Sequence, residues 1–361
     1  MKKKAIIAMS GGVDSSVAAY LMLQKGYDCA GATMKLYDKP QCSQPGEKAC
    51  CTPSDTEDAR NVASRLGMLF YVFPMQEEFR RQVIDKFTAT YLNGGTPNPC
   101  IDCNRFLKFN ALLEKARELG MDYIVSGHYA RIEQDPDTGR FLLKKGLDHT
   151  KDQSYVLYSM TQDQLAHTIF PLGSYSKSEI RKIAQEQGFI NADKPDSQDI
   201  CFVPDGDYAS FIQSYTGNTP QPGDFVDKEG HVLGKHKGHI HYTIGQRRGL
   251  GISAPQSLYV CSKSLKDNQV VLGLPEDLMS DSCLVGDINL ISWDRLDHPV
   301  QCKVKTRYRQ PEQPATIEQI GDDRIRVTFQ EPQRAVTPGQ AAVFYNGDTV
   351  LGGGTILAEN A

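Results

Sequence analysis

Ser10-Gly11-Gly12-Val13-Asp14-Ser15-Ser16 is the stretch on which the reading of this chain turns. Ala5-Ile6-Ile7-Ala8-Met9 before it is a short apolar run of the kind that forms a buried strand. Ser16-Val17-Ala18-Ala19-Tyr20-Leu21-Met22-Leu23 has helix-forming, core-facing character. The glycines therefore occupy a strand-to-helix turn. Gly11 and Gly12 can take positive φ and leave room for a close backbone approach. Backbone N–H groups there, with the hydroxyls of Ser10, Ser15 and Ser16, would face an anion at the N-terminus of a helix, which carries about half a positive charge. The natural guest is an anion, and a phosphate above all. The bland alternative is a Gly-Gly turn capped by Asp14 and Ser15. The order strand, glycines, Asp, serines, helix argues against it.

Composition narrows the rest. At 361 residues the chain has room for two or three domains. Its formal net charge of −4 means that any nucleic-acid contact must rest on local basic patches. Met1-Lys2-Lys3-Lys4 and the apolar residues after it imitate an export signal, but the run is too short and ends in the Ser-Gly-Gly turn. No stretch is long enough to span a membrane, so a cytoplasmic location is expected. Ten cysteines then argue for redox, sulfur or metal chemistry and not a disulfide framework.

Strands at 29–37, 69–73 and 122–126 alternate with helices at 54–66, 76–92 and 107–119. That alternation predicts an α/β fold with a parallel sheet. Ser54 and Glu57, and again Ser176 and Glu179, stand at capping-box spacing. Lys151-Asp152-Gln153-Ser154-Tyr155 is expected to begin another helix. Ligands of parallel sheets bind at the carboxyl ends of the strands, where the first loop, Met34 and Gly127 all fall. Near Asp205 helical spacing gives way to Gly, Pro and strand-like alternation. Tyr259–Cys261 and Gln269–Leu272 read as a strand pair. From Asp281 onward short strands dominate, predicting a small barrel or sandwich. The expected domains are a catalytic α/β domain near 1–203, a small linking domain near 204–275 and a C-terminal β-barrel near 276–361.

Two further stretches carry chemistry. In Thr96-Pro97-Asn98-Pro99-Cys100-Ile101-Asp102-Cys103-Asn104, prolines stiffen a loop before a C-x-x-C pair. Such a pair suits a redox couple, half a zinc site or part of an iron–sulfur site. Cys50-Cys51 is adjacent and spaced poorly for completing a zinc site. Asp196-Ser197-Gln198-Asp199-Ile200-Cys201-Phe202 holds another cysteine behind polar residues, which points to an exposed loop in place of a core thiol. His236 to Arg248 interleaves basic residues with Tyr242, a pattern that suits RNA, although a solvated loop has the same composition.

The first loop lacks the lysine of a G-x-x-x-x-G-K-[ST] motif and does not match G-x-G-x-x-G. It resembles the loop of ATP pyrophosphatases, which split ATP between its α and β phosphates. With Asn-Pro-x-x-x-Cys-Asn, Gly127-His128-Tyr129-Ala130-Arg131, Lys151 to Tyr155, Ser197 to Phe202, Thr243-Ile244-Gly245-Gln246-Arg247-Arg248-Gly249 and Arg307-Tyr308-Arg309-Gln310, it resembles, nearly end to end, the bacterial tRNA-specific 2-thiouridylases. The resemblance implies ATP-dependent 2-thiolation of a tRNA wobble uridine. The C2 oxygen is adenylated and sulfur arrives from a cysteine persulfide.

On that resemblance Ala8, Met9, Ser10, Gly11, Gly12, Val13, Asp14, Ser15, Met34 and Gly127 bind ATP, with Mg2+ on its phosphates. Cys201 bears the persulfide and Cys103 is the second catalytic thiol, leaving a Cys103–Cys201 disulfide for a reductant to reset. Asn98, Pro99, Cys100, His128, Lys151, Asp152, Gln153, Arg307, Tyr308 and Gln340 face the anticodon loop. A protein carrying persulfide sulfur is the further partner. Cys100 stands where one form of the family has Asp. It either lines the base pocket or joins Cys103 and Cys201 on a [4Fe–4S] cluster. The competing readings are an amidating synthetase, disfavoured by the cysteine pair, and an RNA-binding sulfur carrier, disfavoured by the intact ATP loop.

Overall fold

The computed structural model describes residues 2–37, 53–195 and 200–358. Cys42, Cys50, Cys51 and the polar run 196–199 lie outside the described residues. The chain forms two compact units. The first comprises Met1–Ile84, Pro99–Gly206 and Asn346–Gly352; the second comprises Asp85–Asn98, Asp207–Tyr345 and Gly353–Ala361.

The first unit is built on β1 (Lys4–Ala8), β2 (Asp28–Lys35), β3 (Leu69–Pro74), β4 (Tyr123–Ser126), a hairpin of β5 (Ala130–Gln134) and β6 (Phe141–Lys145), and β7 (Thr168–Ile169). The parallel sheet has the order β3-β2-β1-β4-β7. β1 lies between two partners, with Ala5 opposite Cys29 on one side and Tyr123 on the other. A strand enclosed in this way needs apolar residues on both faces, which Ala5-Ile6-Ile7 supplies. Ala5, Ile7 and Met9 share a buried cluster with Val17, Ala18 and Met22 of the helix Val13–Gln24, with Ala59, Val62 and Ala63 of the helix Pro53–Arg65, and with Ile180 and Ala184 of the helix Lys177–Glu186. The Ser176–Glu179 capping box forms as expected.

Three local expectations change. Pro53 replaces Ser54 as the start of its helix. Helical winding also reaches back to Pro99, through Pro99–Asp102 and a π-wound stretch Cys103–Ala111 to Leu112–Glu118. Proline suits a first helical position, where its fixed φ fits and no N–H is needed. Cys100 and Cys103 are therefore helical residues one turn apart and not members of a stiff loop. At 151–155 no full helix forms, only the short 3-10 turn Ser154–Leu157. Asp152 takes the Ser154 N–H at 3.1 Å and its hydroxyl at 2.8 Å, a local cap that competes with helical winding.

In the second unit β8 (Gly223–Val226), β9 (Val232–His236), β10 (Tyr259–Ser264) and β11 (Gln269–Gly273) form a sheet of order β10-β11-β8-β9. Its core is Phe225, Tyr242, Leu250, Val260, Val270 and Leu272. Along the chain follow β12 (Met279–Leu290), β13 (Val300–Lys305), β14 (Gln313–Ile320), β15 (Arg324–Arg334), β16 (Ala341–Asn346) and β17 (Thr349–Ile356), the last with residues 349–352 in the first unit. They run in the order β12-β15-β14-β13-β16-β17, and pairing of β12 with β17 closes them into a six-stranded barrel. Closure removes the exposed sheet edges. No helix among the described residues is long and apolar enough to cross a membrane.

Candidate active site

The loop after β1 is held by its surroundings at each residue. Thr33 donates its hydroxyl to the Met9 carbonyl at 2.6 Å, and Met9 N–H bonds Ala32 O at 2.8 Å, so β2 fixes the strand's exit. Met34, next along β2, is buried. Gly11 has φ +73°, and a Cβ there would overlap the Asp55 carbonyl. Gly127, at the end of β4, would place a Cβ 2.9 Å from the backbone of Asp14 and Ser15. Both glycines are required by close approach. Gly12 begins the helix Val13–Gln24 with extended φ and ψ and no side-chain cap. The hydroxyls of Ser15 and Ser16 both turn back to the Gly12 carbonyl at 3.0 Å, while Ser10 is exposed. Among the described residues the start of this helix has no side-chain cap, which is the arrangement that accepts phosphate.

The charges around the loop are paired in a way the sequence did not disclose. Both oxygens of Asp14 receive Lys177 Nζ, at 2.7 and 2.8 Å, and Oδ1 also accepts the Tyr129 hydroxyl at 2.8 Å. Lys177, whose side chain is 11% exposed, also lies 5.7 Å from the Tyr129 ring centroid. Lys194 Nζ bonds Asp55 at 2.5 Å, Asp58 at 2.9 Å and the Gly11 carbonyl at 3.3 Å. Burial opposes the charge of Lys194, but the hydrogen bonds and attraction of the two carboxylates outweigh it and raise its pKa. Asn191, buried, donates to Gly11 O at 3.0 Å and Ser16 Oγ at 2.9 Å. Sequence reading missed Lys177, Asn191 and Lys194. Lys177 was visible only as the residue after an N-cap, and the other two lie in a loop with no recognisable spacing.

Cys100 is exposed, while Cys103 and Cys201 are half-buried; every described cysteine is a thiol. Asn104, 2% exposed, anchors the helix beside Cys103 through Nδ2 to Val156 O at 2.9 Å. Phe202, beside Cys201, meets Phe79 edge-on at 5.7 Å.

Residues assigned to the anticodon loop divide into two kinds. His128 is buried between Phe109 and Phe170, with ring centroids 5.8 and 5.7 Å away, and Nδ1 is 2.8 Å from Ser126 Oγ. Burial, reinforced by Lys108, holds its pKa well below the ordinary value, so the ring is neutral near pH 7. Asp152 ties the Gly146 and Ser154 N–H groups, and Gln153 accepts the Tyr129 N–H at 3.0 Å. Arg307 spends one guanidinium nitrogen on Ile244 O, Ala335 O and Thr337 Oγ1, at 3.1, 3.0 and 2.6 Å. Gln340 donates to Thr96 O at 2.7 Å. These side chains shape loops. Pro99 is buried, whereas Asn98 and Lys151 are half-buried and Tyr308, under Lys305 at 5.7 Å, is 37% exposed. In the basic stretch, Arg247 and Arg248 are exposed, but His236 and Tyr242 are buried. The expected RNA-stacking role of Tyr242 gives way to a core position against Phe225, 5.0 Å between ring centroids.

Comparison with known proteins bears on all three segments. Residues 3–205 match the tRNA methyl transferase HUP domain, 209–274 the tRNA methyl transferase PRC-barrel domain, and 280–356 the aminomethyltransferase beta-barrel domain. The chain is 49% identical over 357 residues to the tRNA-specific 2-thiouridylase MnmA of Carboxydothermus hydrogenoformans, covering 98% of each protein. It is 49% identical to that of Clostridioides difficile, covering 99% of this chain and 98% of the relative. It is 50% identical to that of Clostridium acetobutylicum, covering 99% and 100%.

Proposed function

The chain belongs to the tRNA-specific 2-thiouridylase family and forms 2-thiouridine in tRNA; from that premise we propose that ATP adenylates the C2 oxygen of the wobble uridine and that Cys201 and Cys103 deliver the sulfur. The observation that carries the ATP half is the uncapped start of the helix Val13–Gln24, which Gly11 and Gly127 hold in close backbone contact. Ala8 to Ser15, Met34 and Gly127 are assigned to the nucleotide on this reading. A uracil carbonyl oxygen is a poor leaving group, and transfer of AMP to it, with release of pyrophosphate, makes it a good one. Lys177 supplies a cation to the phosphates, since its ammonium already stands at the loop. Both Asp14 oxygens are taken by Lys177, and Mg2+ is assigned to the phosphates of the nucleotide.

For the sulfur half, a donor protein leaves Cys201 as a persulfide. Attack of the Cys103 thiolate on Cys201 Sγ expels hydrosulfide, which adds at C2 and displaces AMP. A Cys103–Cys201 disulfide remains for a dithiol to reduce. Arg247, Arg248, Lys151, Asn98 and Tyr308 are the exposed or half-buried groups offered to the anticodon loop, and the flipped wobble base leaves its stack to react. The alternative, a [4Fe–4S] cluster held by Cys100, Cys103 and Cys201, is distinguished from this thiol route by bound iron. The test is release of pyrophosphate from ATP. The proposal expects it only with unmodified tRNA. Release without tRNA, or formation of ADP, overturns it.

A further inference from the structure

Cys100 has no part in the sulfur transfer just described, yet it stands one helical turn from Cys103. We propose that Cys100 is the resolving thiol of the cycle, moving the disulfide from Cys103–Cys201 to Cys100–Cys103 and so to the protein surface. The inference rests on the persulfide reading of Cys103 and Cys201.

Three observations carry it. Cys100 and Cys103 are three residues apart on one continuous helix, Cys100 in its first turn. That spacing puts their Cβ atoms about 5–6 Å apart, against ~3.5–4.5 Å in a disulfide. The gap closes with a small shift of the first turn. Meanwhile Cys103 is held in place, with buried Ile101 and Asn104 on either side and Asn104 bonded to Val156 O at 2.9 Å. Finally, Cys100 is exposed where Cys103 and Cys201 are only half so. A protein dithiol must bring its sulfur into line with a disulfide sulfur, and Cys100 is the one within reach of a second protein.

The exchange balances. The Cys100 thiolate attacks Cys103 Sγ, the Cys100–Cys103 bond forms, the Cys103–Cys201 bond breaks, and Cys201 leaves as a thiolate that takes up the proton Cys100 gave. No electrons enter. An external dithiol then attacks Cys100, contributes two electrons and two protons, and departs as a disulfide. Cys201 is free to accept the next persulfide before that reduction finishes.

The test loads Cys201 with persulfide and runs one turnover with ATP and tRNA, without reductant. The reaction is quenched in acid, alkylated and mapped by peptide mass spectrometry. The wild type should carry a Cys100–Cys103 link with Cys201 alkylated. Cys100→Ser should carry Cys103–Cys201. With a thioredoxin-type dithiol, the ratio of steady-state to first-turnover rate should fall at least about tenfold in Cys100→Ser. Using the ratio cancels any change in tRNA affinity. A Cys103–Cys201 link persisting in the wild type, or an unchanged ratio, overturns the resolving role alone. Thiolated tRNA with no disulfide in either protein overturns the persulfide reading beneath it as well.

Discussion

Lys177 is the residue on which the phosphate loop's electrostatics depend. If it serves the phosphates, its loss cannot be repaired by removing its partner. Asp14→Ala and Lys177→Ala should each lower tRNA-dependent pyrophosphate release by roughly 10²–10³, the usual cost of a lost charge-stabilising donor. Affinity for tRNA should hardly change. The double variant should stay as slow as Lys177→Ala; recovery in the double variant would make the pair a structural neutralisation and nothing more. A second lysine is conspicuous for the opposite reason. Among the described residues Lys263 Nζ is buried with no partner, and burial pushes its pKa down to about 8. Below that value the ammonium is charged in both folded and unfolded chains, and the desolvation cost is fully present. Between about 8 and 10.5 the folded chain has shed the proton while the unfolded chain keeps it, so this lysine makes stability rise with pH. Lys263→Met should stabilise the protein at pH 7, on the order of 2–3 kcal/mol. Relative to wild type that gain should shrink across this window, as denaturant titrations at several pH values will show. A gain that is flat with pH would mean the amine stays charged.

At the scale of elements, the stretch from His236 to Arg248 joins a core and a surface that composition alone does not separate. Tyr242 is 3% exposed, so Tyr242→Ala should cost about 3–5 kcal/mol of stability, the range for emptying a buried aromatic site. Binding of tRNA by this variant should fall only in proportion to the fraction of protein unfolded. Arg247 and Arg248 are exposed on the same loop. Replacing both with Ala should reduce the slope of log affinity against log salt by roughly 0.7–0.9 for each phosphate left without its cation. An unchanged slope would mean that this loop faces solvent in the complex. The helix from Pro99 shows the same limit of sequence patterning. Its first turn is polar and proline-rich, so it reads as loop. Apolar periodicity becomes clear only further along, where Leu107, Phe109, Leu112 and Leu113 are buried.

At the scale of the whole molecule, sulfur delivery by two thiols and a resolving third needs no iron. Protein purified without oxygen should be colourless and iron-free and should thiolate tRNA from a persulfide donor. A brown protein with about four irons per chain, losing iron and activity together in Cys100→Ala, would replace the thiol route with a cluster. The sequence by itself determined the alternation of the first four parallel strands with helices, the phosphate loop and the strand-rich C-terminal part. Each is a local pattern: apolar runs of strand length, glycines at a strand-to-helix turn, alternation at period two. It also carried the cysteines and the family motifs, because those are short and contiguous. Only the tertiary structure decided that Lys177 sits on Asp14 and that Asn191 and Lys194 brace Gly11. It also decided that His128, Asp152, Gln153 and Arg307 are occupied inside the fold. The physical reason is separation along the chain. Asp14 and Lys177 stand 163 residues apart, and no periodicity links them. Their contact exists because β1 and β4 lie side by side and set the helices Val13–Gln24 and Lys177–Glu186 against the same buried cluster.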